Sequence, residues 1–363
     1  MIWLKNTWYV AAFEHELEET TINRKLLGEN VIIYRTSEGE TTALQDLCPH
    51  RLMPLSVGKR IGDELQCGYH GMKFNAQGTC TTIPGQTQIP AKACVKRFPT
   101  VLRHGFVWIW MGDPELASDT LIPDVHWNDS PSWTPSLGYH HFECDFRLMN
   151  DNLLDLSHES YVHTRTIGNE EEESVANYPL NVTVSGDRLI RAHREMPNID
   201  PPPFFEMVLK SSSPINRWQT AINLMPGINM TDVGVYPVEK DRSQAHVMHV
   251  LHLLTPETEK STHYFWAVDR NFDLGDDKLT QGIKKSIDDT FNEDKVILEI
   301  QQKQLDKMGG ESIPNVAIRL DEAAVRARRM LDMQIQKEAE DPKTVLEPLP
   351  LLEEAEPEAA EAS

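Results

Sequence analysis

The sequence predicts an α+β protein in which an all-β domain is followed by a domain that combines strands with helices. Short β-rich runs fill the first part of the chain, and helical periodicity appears only in the second part. We place the two domains at 1–115 and 116–340. A tail rich in Pro, Glu and Ala follows at 341–363, and its composition predicts disorder.

The predicted elements follow this order along the chain. Residues 1–45 contain the runs WYVAAF, NVIIYR and TTALQDL, which polar turns separate. Another strand is predicted within VLRHGFVWIWMG, and the following Gly112-Asp113-Pro114 sequence ends it. In the second domain, segments 180–195 and 217–270 alternate as strands do. The predicted helices are 146–163, 281–306 and 320–339.

The composition excludes several classes of protein. The 363 residues are 40% apolar and 25% charged, which is enough to form a core. No apolar run approaches the ~18 residues that a membrane helix needs, and the N-terminus lacks a signal-peptide pattern. A net charge of −21 argues against nucleic-acid binding. Five cysteines are too few for a disulfide scaffold in a chain of this length, so we expect a cytoplasmic protein.

Two cysteines and two histidines form a first candidate metal site. Cys48 and His50 are separated by one residue, and Cys67 and His70 by two, with sixteen residues between the pairs. Such a set could bind one zinc ion, or it could hold a [2Fe–2S] cluster with both thiolates on one iron and both imidazoles on the other. Because each pair supplies one thiolate and one imidazole within a β domain, the spacing favours the cluster.

His158 and His163 belong to a second candidate site. They are five residues apart, which places them ~140° apart around an ideal α-helix. They can reach one metal ion only if the helix ends, bends or bulges between them. The alternative is that the two histidines are unrelated, one at a helix end and one packed against Tyr161.

A carboxylate would complete the donor set of a non-haem Fe(II) oxygenase, which uses two histidines and one carboxylate. In the helix SIDDTFNEDKVILEIQQ, Asp294 falls on an apolar stripe with Phe291 and Leu298. Because a buried carboxylate must be paired or bound to metal, we expect Asp294 to be the third ligand, with a buried ion pair as the alternative. The other acidic residues of this helix are expected on its solvated face: Asp288, Asp289, Glu293 and Glu299.

These motifs resemble those of a known family. CPHR…CGYHGMKF is similar to the Rieske motif C-x-H…C-x-x-H. D-x-x-H-x-x-x-x-H with a later F-x-E-D resembles the catalytic subunits of Rieske non-haem iron oxygenases. NTWYVAA, VWIWMGDPELA and DNLLDLSHESYVH are similar to the vanillate O-demethylase oxygenase branch, and the resemblance covers about residues 2–338. It implies an N-terminal all-β Rieske domain and a C-terminal catalytic domain of antiparallel sheet and helices, helix-grip-like in arrangement.

The resemblance also implies roles for individual residues. Asp155 matches an aspartate that bridges the iron ligand His158 and a cluster ligand of the neighbouring subunit, here His70. Asn152 matches a residue near the iron. His252 matches a histidine that contacts the substrate carboxylate in the dicamba-type enzymes, and the alternative is a strand histidine that faces solvent. The implied ligands are Cys48, His50, Cys67 and His70 for the [2Fe–2S] cluster, and His158, His163 and Asp294 for mononuclear Fe(II).

The function implied by the resemblance is O2-dependent O-demethylation of a methoxylated aromatic acid such as vanillate, which gives a phenol and formaldehyde. Hydroxylation of the ring or of a methyl group in another aromatic acid is the second candidate. A Rieske electron carrier with a ligand-binding domain is the third. Because no Gly-rich dinucleotide motif follows a strand, we expect electrons from NAD(P)H through a separate ferredoxin-type reductase. The family forms head-to-tail homotrimers, and we expect no nucleic-acid or membrane partner.

Overall fold

The computed structural model of the protein describes residues 2–18, 21–168, 174–309 and 316–352. Within these ranges all strand pairs of the four sheets are antiparallel. Three small sheets occupy the N-terminal part, and one seven-stranded sheet with helices occupies the C-terminal part. The α+β class predicted from the sequence is therefore confirmed.

The N-terminal sheets are built from short strands rich in aromatic and β-branched residues. The first sheet has the order β1-β11-β10, the second β2-β3-β4-β9 and the third β5-β6-β7-β8. The aromatic run of β11 pairs with β1, so that Trp110 lies opposite Trp8 and Phe106 opposite Phe13. The strands are β1 Trp8–Phe13, β2 Ile22–Leu26, β3 Glu29–Arg35, β4 Thr41–Gln45, β5 Lys59–Ile61, β6 Glu64–Gln66, β7 Lys73–Phe74, β8 Cys80–Thr82, β9 Arg97–Phe98, β10 Thr100–Arg103 and β11 Phe106–Trp110.

The C-terminal sheet has the order β12-β18-β17-β16-β15-β14-β13. Its strands are β12 Thr134–Phe142, β13 Asn181–Ser185, β14 Leu189–Ile199, β15 Ile215–Leu224, β16 Ile228–Pro237, β17 His246–Thr258 and β18 Ser261–Arg270. The α-helices of the described chain are α1 Phe146–Leu154, α2 Glu159–Val162, α3 Pro203–Leu209, α4 Asp277–Lys307 and α5 Glu322–Glu340.

Alternation along β17 gives the large sheet two different faces. Leu251 and Leu253 are buried in one cluster with Trp108 of the N-terminal domain. Val250 belongs to a second cluster, which includes Phe291 of α4. The sheet therefore packs against the N-terminal β-domain on one face and against helices on the other. Burial of each such side chain stabilises the fold by about 1.5–3 kcal/mol, so both faces are fixed.

The long helix α4 positions part of the candidate site. Asp276 caps it, with its side chain accepting a hydrogen bond from Leu279 N–H at 2.9 Å. Ile283 and Ile287 continue the buried stripe that the sequence predicted. Among the helices of the described chain, none is both long enough and apolar enough to cross a membrane.

The C-terminal segment differs from the sequence-based expectation. Residues 341–352 pack against the sheet, with Leu346 only 7% exposed and Leu351 only 2% exposed. Arg191 Nε donates a hydrogen bond to the Leu351 carbonyl at 2.8 Å. The prediction of disorder is wrong for 341–352, because two buried leucines and the backbone carbonyls of Glu347, Pro350 and Leu351 supply contacts that the overall composition does not reveal. The rest of the predicted tail, 353–363, lies outside the described residues.

Candidate metal centres and substrate cavity

The two Cys/His loops of the N-terminal domain have equivalent backbone hydrogen bonds. In each loop the cysteine N–H donates to the carbonyl five residues later, at 2.8 Å in both. The N–H four residues after the cysteine donates back to the cysteine carbonyl, at 2.9 Å for Leu52 and 3.0 Å for Gly71. Both of these residues have positive φ, 57° and 74°. Cys48 and Cys67 are thus presented by two matched turns.

The thiols of these loops are buried and the imidazoles are exposed. Cys48 and Cys67 are 1% and 2% exposed. His50 and His70 lie at the surface with ring centroids 4.6 Å apart. Burial raises the pKa of the Cys48 thiol, and the adjacent Cys67 thiol raises it further, so a bound cation is needed to hold Cys48 as a thiolate. Two buried sulfurs and two outward imidazoles on matched turns fit a [2Fe–2S] cluster whose histidine side faces solvent.

The helix predicted over 146–163 is interrupted. Asp155 follows α1 and begins a 3₁₀ turn, where its Oδ1 accepts a hydrogen bond from Ser157 N–H at 3.0 Å. The short helix α2 then runs between His158 and His163. Because the helix restarts at this point, two histidines five positions apart can face the same centre, as the sequence required for a shared metal.

His158, His163 and Asp294 converge on one point. His158 Nε2 lies 3.4 Å and His163 Nε2 lies 3.2 Å from Asp294 Oδ1. One ligand atom from each residue lies within 4.8 Å of the other two. Asn152 Nδ2 donates a hydrogen bond to Asp294 Oδ1 at 3.1 Å. Two imidazole nitrogens and one carboxylate oxygen in this arrangement fit the donor set of a non-haem Fe(II) centre.

The Nδ1 atom of each histidine also has a hydrogen-bond partner. His158 Nδ1 lies 2.5 Å from the Asp155 carbonyl oxygen, and His163 Nδ1 lies 2.8 Å from Glu293 Oε2. Burial acts to lower the pKa of His163, but the carboxylates of Asp294 and Glu293 outweigh it and raise the pKa to about 9. Burial acts to raise the pKa of Asp294, but hydrogen bonds from both histidines hold it well below its usual range. These contacts direct both Nε2 atoms at an ionised carboxylate.

A cavity lies beside these three residues, between the large sheet and α4. Most of its wall is apolar, and a few polar groups interrupt that wall, which is typical of sites for small organic ligands. The apolar wall consists of Leu153, Leu156, Ile167, Phe204, Phe205, Val233, Met248, Val250, Val268, Ile287 and Phe291. Besides the three converging residues, the polar wall consists of Asn152, Glu159, Arg217, Gln219, Thr231, His252 and Thr290.

Comparison with protein families identifies both domains. Residues 142–337 match the vanillate O-demethylase oxygenase C-terminal domain, and residues 7–99 match the Rieske [2Fe–2S] domain. The chain is a Rieske oxygenase of the vanillate O-demethylase oxygenase family. The family, the enzyme class and the Rieske domain expected from the sequence are thereby confirmed.

Individual relatives cover almost the whole Rieske oxygenase chain. A putative toluene-4-sulfonate monooxygenase system iron-sulfur subunit from Comamonas testosteroni is 37% identical, over 92% of this chain and 98% of the relative. A vanillate O-demethylase oxygenase subunit from Pseudomonas sp. (strain HR199 / DSM 7063) is 35% identical, over 93% and 96%. Dicamba monooxygenase bound to 3,6-dichlorosalicylic acid matches with a TM-score of 0.88 and 33% identity, covering 93% of this chain and 99% of that one. Oxygenases of this family work in multicomponent systems with separate reductases.

The structure places His252 of the oxygenase inside the cavity and not on a solvent-facing strand surface. His252 is 3% exposed. Its Nδ1 lies 2.5 Å from the Tyr264 hydroxyl oxygen, and its Nε2 lies 3.4 Å from Thr231 Oγ1. Burial lowers the pKa of His252 to about 3, so the imidazole is neutral. A neutral ring held by Tyr264 at one nitrogen can offer the other nitrogen to a ligand.

Asp155 of the oxygenase lies at the edge of a surface depression. The wall of this depression includes His158 and, from α4, Ile297. The backbone carbonyl of Asp155 faces His158, whereas its side chain caps the 3₁₀ turn. The structure therefore places the residue beside one candidate metal centre and at the protein surface, which a bridging role requires.

A buried polar cluster in the cavity wall was missed by the sequence reasoning. Arg217 Nη2 donates to Glu159 Oε2 at 3.0 Å, and Gln219 Nε2 donates to Glu159 Oε1 at 2.5 Å. Each of the three residues is 2% exposed. The two-residue spacing of Arg217 and Gln219 indicates one face of a strand, but no local signal connects that face with Glu159.

The expectation for the acidic residues of α4 needs correction. Glu293 does not belong to a solvated face, since it holds His163 Nδ1. Asp288 Oδ1 lies 3.0 Å from His140 Nε2, and Glu299 accepts a hydrogen bond from the Glu143 N–H at 3.1 Å. These side chains lie at the boundary of the buried stripe, where helical periodicity alone does not tell a solvated residue from one that contacts a neighbouring element.

Proposed function

We propose that this oxygenase removes the methyl group from a methoxylated aromatic acid related to vanillate. The observation that carries the proposal is that the donor set of His158, His163 and Asp294 borders an apolar cavity that also contains the neutral His252. A ring with a methoxy group fits an apolar wall, and a carboxylate fits a hydrogen-bond donor. Relatives named vanillate O-demethylase and dicamba O-demethylase support this choice of reaction.

The metal ligands are proposed as the sequence suggested. Cys48, His50, Cys67 and His70 would hold the [2Fe–2S] cluster, and His158, His163 and Asp294 would hold Fe(II). The bound iron would supply O2 activation, and the cluster would supply electrons received from NAD(P)H through a ferredoxin-type reductase.

The protein's own residues would bind and orient the substrate. The aromatic and aliphatic wall excludes water from the methoxy carbon. Because the pKa of the Tyr264 phenol is raised well above its usual range by burial, its O–H is retained and can donate to His252 Nδ1. His252 then carries its proton on Nε2 and donates from there to the substrate carboxylate.

The reaction balances as a monooxygenation. The methoxy group, O2, two electrons and two protons give a hydroxymethyl ether and water. The hydroxymethyl ether breaks the bond between its carbon and the ring oxygen, which releases formaldehyde and leaves the phenol after proton transfer to that oxygen.

We further propose a head-to-tail homotrimer in which Asp155 of one subunit contacts His70 of the next. Exposed apolar side chains at both places support this contact. Leu52 and Tyr69, beside the cluster loops, are 67% and 59% exposed, and Ile297, beside Asp155, is 46% exposed. Exposed apolar patches of this kind mark protein contacts. A solution mass of three chains by light scattering supports the trimer, and a monomeric mass contradicts it.

A single-turnover experiment tests the function without the native reductase. The purified protein is reduced chemically under anaerobic conditions, mixed with 4-hydroxy-3-methoxybenzoate, and exposed to O2. We expect formaldehyde and 3,4-dihydroxybenzoate in equal amounts. A hydroxylated product that retains the methoxy group would contradict demethylation and indicate hydroxylation. Oxidation of the cluster without any product would favour an electron carrier.

A further inference from the structure

The cluster of Glu159, Arg217 and Gln219 forms a polar end of the cavity that neither metal centre uses. All three residues line the cavity. Arg217 is fixed by its ion pair with Glu159, and its guanidinium carbon lies 4.6 Å above the ring centroid of Phe205. The cluster is therefore a rigid part of the wall and not a mobile surface group.

The orientation of the Gln219 amide is determined by its partner. Glu159 is a carboxylate that also accepts from Arg217, and an ionised carboxylate can only accept hydrogen bonds. The Gln219 atom that faces it must therefore be the NH2 group. This contact leaves Oε1 as the atom that is free to accept another hydrogen bond.

Gln219 Oε1 is buried and has no hydrogen-bond partner among the described residues. Leaving a buried acceptor without a hydrogen-bond partner destabilises the protein. In a cavity wall, a ligand or an ordered water removes that cost. An acceptor that is fixed in direction but unpaired is what a site for a hydrogen-bond donor requires.

The polar end lies away from His252 along the sheet. Gln219 is in register with Val233 of β16, whereas His252 is in register with Asn229 of the same strand. Four residues separate these two positions, which corresponds to about 13 Å along the strand. The two polar groups thus border opposite ends of the cavity and can contact different groups of one substrate.

We propose that Gln219 is a specificity-determining residue whose Oε1 accepts a hydrogen bond from a hydroxyl or N–H group of the substrate, at the cavity end opposite His252. A carboxylate or phenolate oxygen carries no proton and cannot satisfy Oε1, whereas a neutral hydroxyl or N–H group can. The substrate is thus an aromatic acid that carries a neutral hydrogen-bond donor on the ring. This proposal rests on the proposed function and specifies its substrate further.

Two probe molecules that differ by one hydroxyl group test the proposal. They are 4-hydroxy-3-methoxybenzoate and 3-methoxybenzoate. Dissociation constants are measured by anaerobic calorimetry with the iron-loaded protein, and formaldehyde formation gives kcat/KM with one common electron source. We expect the wild-type protein to prefer the hydroxylated probe at least about tenfold in both quantities, since the site leaves an acceptor unpaired with the other probe.

The variant Gln219→Met separates recognition from structure. It keeps the length of the side chain but removes the acceptor, together with the hydrogen bond that Nε2 donates to Glu159. We expect a loss of about tenfold for the hydroxylated probe and a change of less than about threefold for 3-methoxybenzoate. The matched control is Gln334→Met, a buried glutamine that donates to the Asp187 carbonyl and lies outside the cavity wall. The control should retain the wild-type preference.

The outcomes distinguish the two proposals. Equal affinity and equal turnover of both probes in the wild type would overturn the role of Gln219 while the demethylase function stands. If Gln219→Met weakens the binding and turnover of both probes by the same factor, the role of Gln219 in recognition is likewise overturned, because that result assigns a purely structural role to the side chain. A preference in binding without any formaldehyde would support Gln219 and contradict demethylation. The wild-type comparison needs no folded variant, so a misfolded Gln219→Met protein does not prevent the test.

Discussion

The two proposed metal centres of this oxygenase are built in contrasting ways. The cluster loops place their histidines at the surface and their thiols inside, on two matched turns close together in the sequence. The proposed iron centre would take His158 and His163 from an interrupted helix and Asp294 from α4, and all three border a largely apolar cavity. The first arrangement exposes a route for electrons, and the second removes the reacting groups from water.

The contrast shows how one chain separates two chemical tasks. Electron transfer needs a short path between proteins, so exposed imidazoles are an advantage at the cluster. Oxygen chemistry needs exclusion of water and a positioned substrate, so burial and hydrogen bonds to the outer histidine nitrogens matter at the iron. Variants at one centre should therefore leave the other intact.

The largest expected effect comes from Asp294→Asn. Asparagine has the same size and keeps an oxygen near Asn152, but it removes the negative charge that the two histidines face. We expect demethylation to fall by at least about a hundredfold while the visible spectrum of the cluster is unchanged. The control is Asp289→Asn, an exposed position on the same helix that pairs with Lys285. Loss of the cluster spectrum in Asp294→Asn would contradict the separation of the two centres.

Asp155→Asn tests the connection between the centres. An asparagine Oδ1 can still cap the 3₁₀ turn through Ser157 N–H, so the local fold should persist. We expect both metals to be retained and steady-state turnover to fall by about 10–100-fold, because electron transfer between subunits is slowed. Rapid mixing of the reduced protein with O2 and substrate would show the cluster reoxidised slowly. Reoxidation at the wild-type rate would refute the bridging role.

Glu293→Gln should have a smaller effect at the iron centre alone. The amide oxygen can still accept from His163 Nδ1, but the charge that helps to orient and polarise the ring is lost. We expect the affinity for Fe(II) to fall by about tenfold. Titration of metal-depleted protein with Fe(II) measures this change, and the cluster content serves as the internal control. An unchanged affinity would show that Glu293 does not support His163.

The smallest effect on activity is expected from Leu351→Ala, which touches neither centre. This leucine is buried against the sheet, and its truncation should destabilise the protein by about 2–5 kcal/mol. Thermal unfolding followed by circular dichroism should show a lower Tm, with activity retained well below that temperature. Lys343→Ala, in the same segment but exposed, should leave the Tm unchanged. An unaltered Tm for Leu351→Ala would show that the segment does not stabilise the fold.

The sequence predicts features that depend on local spacing. Cys48 and His50 lie within one turn, so their pattern is visible without the fold. Asp294 was also predictable from the sequence, because a carboxylate on an apolar helical stripe departs from the pattern. The sequence shows only that the helix must be interrupted if the two histidines are to bind one metal. It does not place the interruption at Asp155, since periodicity does not reveal where a helix restarts.

Other features depend on contacts between distant segments. Glu159 meets Arg217 across 58 positions of the chain, and nothing local indicates that pairing. Glu293 was assigned to the wrong face, because it lies next to Asp294 at the edge of the buried stripe. The composition gives a wrong prediction for residues 341–352, because it does not reveal that two leucines of this segment are buried against the sheet.

The most direct test of two independent metal centres is the content of iron and acid-labile sulfide per chain in anaerobically purified wild-type protein and in Asp294→Asn. We predict about three irons and two sulfides for the wild type, and about two irons and two sulfides for the variant. Retention of the third iron in Asp294→Asn, or loss of sulfide together with it, would contradict the assignment of the two centres.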